Sequence, residues 1–146
     1  MAIKIKHEQF DMLGDLTKQQ QAAIRCDNRR VLVLAGAGSG KTRTLLQKIV
    51  YLIREKKVKP DEIMAITFTK NATHEMIDRL LLASDNTREY AQAIRSKHVT
   101  VKQANELRRA KMREHKWIAR LTLRTFHGLC YKLMRNYGAK EFDNRF

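Results

Sequence analysis

Val31-Leu-Val-Leu-Ala-Gly-Ala-Gly-Ser-Gly-Lys-Thr42 is the stretch whose reading decides the fold. The aliphatic run Val31 to Leu34 has the length and composition of a buried strand. Gly36, Gly38 and Gly40 let the backbone curl, and Gly40-Lys41-Thr42 opens a helix. A strand, a glycine-rich turn and a helix N-terminus make a phosphate cradle. The backbone N–H groups of Ala35, Gly36, Ala37, Gly38, Ser39 and Gly40 converge on the phosphates, Lys41 reaches the outer oxygens, and the Thr42 hydroxyl faces a Mg2+ ion. Ala35 stands where the eight-residue pattern usually has its first glycine. The plain alternative is a glycine-rich turn with no ligand.

The rest of the composition bounds the partners. At 146 residues the chain can bury one core. Thirty Lys and Arg against fifteen Asp and Glu leave a formal charge of +15, which points to a polyanion. Nucleic acid stands ahead of a membrane surface, because no basic amphipathic segment adjoins an apolar anchor. Cys26 and Cys130 are far apart, and His7, His74, His98, His115 and His127 show no metal-ligand spacing. Reduced thiols, no spanning run and no signal-peptide core predict a cytoplasmic protein with no membrane partner.

Working outward in chain order, residues 1–16 read as an irregular lead-in and Leu16–Ile24 as a short helix. Thr17 and Gln20 have capping-box spacing. A glutamine just upstream of a phosphate loop can equally offer a donor and an acceptor to an adenine edge, and the spacing leaves both roles open. Thr44–Glu55 carries a helical stripe at Leu45, Ile49, Leu52 and Ile53. Ile63–Phe68 is a second apolar strand, so that strand, helix and strand form a βαβ unit with its ligand edge at the carboxyl end. Thr67-Phe68-Thr69-Lys70-Asn71 leaves that edge before a helix over Ala72–Leu82. Hydroxyls, an amide, a cation and an aromatic suit a single-stranded nucleic acid. The alternative makes Thr69 or Asn71 a helix cap and Phe68 part of the core.

Residues 83–120 hold ten Lys and Arg against four acids, and Thr100 with Gln103 repeats the capping-box spacing. This reads as a basic helical insertion, thinly apolar at Ala104, Leu107 and Ala110, with Tyr90 and Trp117 as anchors to the body. A backbone-binding arm and a merely solvated face are both open for it. Leu121–Phe126 is a third strand with a helix from His127, so Thr125-Phe126-His127 repeats the Thr67-Phe68-Thr69 arrangement. Two hydroxyl-aromatic pairs on one edge of a parallel sheet would make a stacking platform. The expected fold is α/β, a three-stranded partial parallel sheet with flanking helices. Its parts are 1–82, the insertion 83–120, and a continuation over 121–146.

The succession Leu16-Thr-Lys-Gln-Gln, Leu34-Ala-Gly-Ala-Gly-Ser-Gly-Lys-Thr-Arg43, Ala65-Ile-Thr-Phe-Thr-Lys-Asn-Ala-Thr-His-Glu-Met76 and Thr125-Phe-His-Gly-Leu-Cys130 resembles the start of UvrD/Rep-type superfamily 1 DNA helicases. The resemblance implies a RecA-like P-loop NTPase motor domain, with ATP and Mg2+ as cofactors and single-stranded DNA as partner. By it, Gln20 reads adenine, Arg43 packs on adenine, and Ala35 is the family's own form of the loop. Lys41 and Thr42 hold phosphates and Mg2+, while Phe68, Thr69, Lys70, Asn71, Thr125, Phe126 and His127 fall in DNA-contacting segments. Two departures stand out: Lys70-Asn71 reverses the family's Asn-Lys order, and the gap from Met76 to Thr125 is longer than usual, which makes 83–120 a local insertion.

Hydrolysis needs carboxylates at the carboxyl end of a strand, on the metal ion and beside the attacking water. Asp61-Glu62 precedes its strand, and Asp143 follows too short an apolar run to sit on one. The sequence therefore predicts no catalytic residue within this chain, and an amino-terminal helicase piece whose partners include the remainder of the helicase or its second motor domain. A stand-alone nucleotide- and nucleic-acid-binding module and a small P-loop phosphotransferase are the other readings.

Overall fold

A computed structural model describes residues 16–84, 89–95 and 99–138. The expected lead-in before residue 16, Asp85, Arg88, Lys97 and His98 of the insertion, and Asp143 lie outside the described residues. In chain order the elements are α1 (Lys18–Arg25), α2 (Lys41–Arg54), a 3-10 turn at Pro60–Glu62, β1 (Met64–Thr67), α3 (Lys70–Ser84), α4 (Glu89–Arg95), α5 (Val101–Glu114), α6 (Lys116–Arg120), β2 (Thr122–Thr125) and α7 (Phe126–Tyr137). The molecule is mixed helix and strand around one small parallel sheet.

β1 and β2 pair in parallel, Met64 opposite Thr122 and Thr67 opposite Thr125. Thr122 N–H donates to the Ile63 carbonyl at 3.0 Å, starting the ladder at its amino end. Among the described residues the sheet has these two strands and not three. Val31–Leu34, expected as the first strand, pairs with neither, and Leu32 and Leu34 are 84% and 86% exposed. The reason is physical: a strand exists through a neighbour's N–H and C=O groups, and no described strand lies beside this run. The expected βαβ unit across α2 is therefore not formed. The other two strands are shorter than the apolar runs that predict them, since Phe68 and Phe126 fall just beyond the last rung. β1 is also covered on one face only. Ala65 is buried, whereas Met64 and Ile66 are exposed, contrary to the fully buried strand its composition suggests.

The core lies on the covered face. Leu46, Ile49 and Ile53 of α2 meet Met76, Leu80 and Leu81 of α3. The insertion contributes Tyr90 from α4 and Trp117 and Ile118 from α6 to the same cluster. Each fully buried side chain of this size is worth roughly 1.5–3 kcal/mol relative to exposure.

α5 is held to α3 through polar groups. Arg108 donates from Nε to Asp78 Oδ1 at 2.5 Å and from Nη2 to Oδ2 at 2.8 Å, and the Tyr90 hydroxyl donates to Oδ1 at 2.6 Å. Arg108 and Asp78 side chains are only 11% and 19% exposed. Burial first, then the bond to Asp78, pushes the Tyr90 phenol well above its ordinary pKa, and the Asp78 hydrogen bond raises that of Arg108. Ala110, expected on the inner face of α5, is exposed, and the inner face is Ala104, Leu107, Arg108 and Lys111.

Candidate functional site

The loop between Leu34 and α2 gets its shape from two glycines. Gly38 and Gly40 have φ of 74° and 79°, a left-handed backbone that a side chain disfavours. A Cβ at Gly40 would also lie 3.0 Å from Gln20 Nε2. Ser39 Oγ donates to the Gly36 carbonyl at 2.8 Å, which closes the turn. Lys41, the first residue of α2, folds back so that Nζ donates to the carbonyls of Gly36 and Ala35 at 2.6 and 3.1 Å. An exposed ammonium resting on loop carbonyls is poised to exchange them for an anion.

Gln20 belongs to both α1 and the loop. Its Oε1 accepts from the Thr17 N–H at 2.9 Å while Thr17 Oγ1 accepts from the Gln20 N–H at 3.2 Å, completing the capping box. Its Nε2 donates to the Ser39 carbonyl at 3.0 Å. The cap is thus real, and it fixes α1 against the loop. Lys48, which the sequence did not single out, fixes the other end of α1. Its Nζ donates to the Ile24 and Cys26 carbonyls at 2.8 and 2.7 Å, satisfying groups left open by the helix terminus. A lysine two turns beyond the loop helix's start carries no local sign of that role.

Between α1, the loop and α2 lies a cavity of about 690 Å³. Gln20, Ala35, Gly36, Ser39 and Lys41 line it, with Val31, Val33 and Leu34 supplying an apolar wall. Ala37, Gly38, Gly40, Thr42 and Arg43 stand outside this lining. Thr42 is half-buried in the first turn of α2. Arg43 is also half-buried, and its Nε and Nη2 are buried without a hydrogen-bond partner among the described residues. Unpaired buried donors of this kind are costly and accept a polar ligand readily.

A second cluster sits at the carboxyl edge of the sheet. Thr67 and Thr125 form the last rung, so Phe68 and Phe126 leave neighbouring strands side by side. Phe68 is 82% and Phe126 58% exposed, which removes both from the core. His127 stands between them, its ring 6.3 Å from each and edge-on at 68° and 85°. Thr69 Oγ1 accepts from the Ala72 N–H and Thr125 Oγ1 from the Gly128 N–H, both at 3.1 Å, so each threonine caps the helix that follows it. The second of these helices starts at Phe126, one residue before the position read from sequence. Lys70 and Asn71 are exposed in the first turn of α3.

Asp61 and Glu62 lie in the 3-10 turn at the opposite, amino end of β1, where Arg120 Nη2 donates to Asp61 Oδ1 at 2.5 Å. The length of β1 separates them from the aromatic edge. Among the described residues no group of three or more His, Cys, Asp or Glu could hold a metal ion.

The family model for the UvrD/REP helicase N-terminal domain matches residues 16–146. The chain belongs to the UvrD/REP helicase family. This UvrD/REP chain is 28% identical over 133 residues to a probable DNA helicase II homolog of Mycoplasma pneumoniae, covering 91% of the chain and 14% of that relative. It is 44% identical over 78 residues to the corresponding protein of Mycoplasma capricolum, covering 53% and 10%. With the ATP-dependent DNA helicase PcrA of Bacillus subtilis the identity is 48% over 69 residues, covering 47% and 9%. The chain thus spans a seventh or less of the length of these relatives. No described helix is long and apolar enough to cross a membrane.

Proposed function

We propose that this UvrD/REP chain is the ATP- and single-stranded-DNA-binding part of the first, RecA-like motor domain of an ATP-dependent DNA helicase. The observation that carries the reading is the position of Lys41, whose ammonium rests on the Ala35 and Gly36 carbonyls at the wall of a cavity that Gln20 also lines. Phosphates entering the loop displace those carbonyls and take Lys41 Nζ together with the N–H groups of Ala35 to Gly40. The open apolar wall of Val31, Val33 and Leu34 offers the base a surface, Gln20 lines the same cavity, and Arg43 carries buried donors in the first turn of α2.

The donor set fits Mg2+ in part: Thr42 gives one hydroxyl oxygen, and the nucleotide's own phosphates give others. The ion neutralises phosphate charge when bound. Asp61-Glu62 stands at the amino end of β1 with Asp61 paired to Arg120, and in this reading the residues of the cradle grip ATP and do not cleave it. The acidic groups and arginines that complete hydrolysis come, in this reading, from the remainder of a helicase chain and its second motor domain. At the other cluster Phe68, Phe126 and His127 present ring faces and edges to unpaired bases, while Thr69, Lys70, Asn71 and Thr125 meet the backbone between them.

Calorimetry with Mg-ATP tests the cradle. Lys41→Ala removes a charge-assisted contact worth about 1.5–3 kcal/mol, and equal binding by the variant and the parent sinks the assignment. Anisotropy with an oligo-dT strand tests the platform in the same preparations. Phe68→Ala with Phe126→Ala costs about 1–3 kcal/mol for each stacking ring removed, and an undiminished affinity returns both rings to a passive role.

A further inference from the structure

The insertion holds cations that neither site uses. On α5 the docked side is Ala104, Leu107, Arg108 and Lys111, and the opposite side is Lys102, Glu106, Arg109 and Arg113. At 100° per residue the latter four fall within about 60° of one another, a single row along the helix. Lys102, Arg109 and Arg113 are exposed and make no ion pair or side-chain hydrogen bond among the described residues. Lys116, at the start of α6, is likewise exposed and unpaired. Glu114, the other exposed acid of α5, is already engaged by Lys111 at 3.0 Å.

Three features make this row more than a solvated face. First, the helix under it is fixed, because the Asp78–Arg108–Tyr90 bonds tie α5 to α3 at part-buried positions. The backbone that carries these cations loses little further freedom on binding, which leaves only the side-chain ordering cost. Second, Asp78 lies on the stripe of α3 that begins at Lys70 and passes through His74, so the insertion docks on the helix that leaves the aromatic edge. Third, the outer face of α5 exposes no aromatic ring, so it offers no base a stacking partner. Contact there is with phosphates alone. From Lys102 to Arg113 the row runs about 16 Å, and a duplex presents roughly one phosphate charge per 1.7 Å of its axis in a regular array.

We propose that Lys102, Arg109 and Arg113 on α5 form a duplex-DNA contact, sequence-independent and distinct from the aromatic edge. It neutralises backbone phosphates through fixed cations and releases their counterions. The inference does not depend on the nucleotide or stacking readings.

Salt dependence is the direct test, with a blunt-ended duplex of about 20 base pairs, the purified chain and anisotropy across a KCl series. Lys102→Ala/Arg109→Ala/Arg113→Ala flattens the slope of log K against log salt by about 2.7, at roughly 0.9 for each phosphate no longer neutralised. Glu106→Lys, which adds a cation to the same row, steepens it by about 0.9 and tightens duplex binding. Unchanged slopes in both variants overturn the proposal. So does a triple variant that loses no more on the duplex than on oligo-dT. The Phe68→Ala/Phe126→Ala protein, measured alongside, keeps the parent's duplex slope, so failure of the aromatic platform and failure of the basic row are read separately.

Discussion

Val31–Leu34 and residues 89–121 invert what composition alone suggests. The first is an unbroken aliphatic run, yet Leu32 and Leu34 are 84% and 86% exposed. The second is basic and mostly polar, yet it buries Tyr90 and Ile118 completely and closes the core beside α3. The difference lies in where each finds its partners. A helix satisfies its own backbone and needs only a few apolar contacts to dock, whereas a strand needs a neighbour's backbone before its side chains can be buried. In α4–α6, three or four well-placed residues suffice. In Val31–Leu34, four apolar residues do not.

The largest effect that can break this comparison lies at Asp78. Asp78→Ala leaves Arg108, 11% exposed, beside an empty position and removes the Asp78 carboxylate from the Tyr90 hydroxyl. Removing one partner of such a pair costs about 3 kcal/mol, and urea denaturation reads it as a lower midpoint at unchanged slope. A variant as stable as the parent means that the insertion is held by its apolar anchors alone. The contrasting expectation concerns the aliphatic run. Leu32→Ser with Leu34→Ser changes stability by no more than about 0.5 kcal/mol in the same assay, because neither side chain has packing to lose. A loss near 2 kcal/mol there means that these side chains are buried in solution and erases the contrast.

What the sequence made legible follows the same division. Local chemistry was readable: both capping boxes form at Thr17 with Gln20 and at Thr100 with Gln103, and Tyr90 and Trp117 are core anchors. The repeated hydroxyl-aromatic pairs also meet on one edge, because parallel pairing in register puts equivalent strand ends together. Pairings between distant residues were not readable. Asp78 and Arg108 are thirty residues apart, and nothing near either one announces the other. Lys48 closing α1 and the unpaired state of Val31–Leu34 are of the same kind, since each depends on what the fold sets beside the residue. The Gln20 alternatives show a third case. Oε1 makes the cap and Nε2 holds the Ser39 carbonyl, so the cap is formed, and an adenine edge would have to displace one of these two partners.

The smallest effect sharpens the comparison from within the docked region. His74 lies between Lys70 and Asp78 along α3, and its pKa is lowered from 6.5, first by burial, then by the Arg108 charge and more weakly by Lys70, with Asp78 opposing. Above about pH 6.5 the ring is neutral in both folded and unfolded chains and contributes no pH dependence. As pH falls below 6.5 the unfolded chain takes up the proton first, so stability declines until the depressed folded value is passed and then levels. His74→Gln removes that shallow acid-side decline in denaturation midpoints measured from pH 7.5 down to about 5. Asp78→Ala has the opposite consequence. It deletes the one carboxylate that favours the charged ring while leaving the Arg108 guanidinium in place, so the decline steepens. If the slope below pH 6.5 is the same with and without Asp78, the Asp78 carboxylate has no net effect on the His74 ring in solution, and the expected steepening fails.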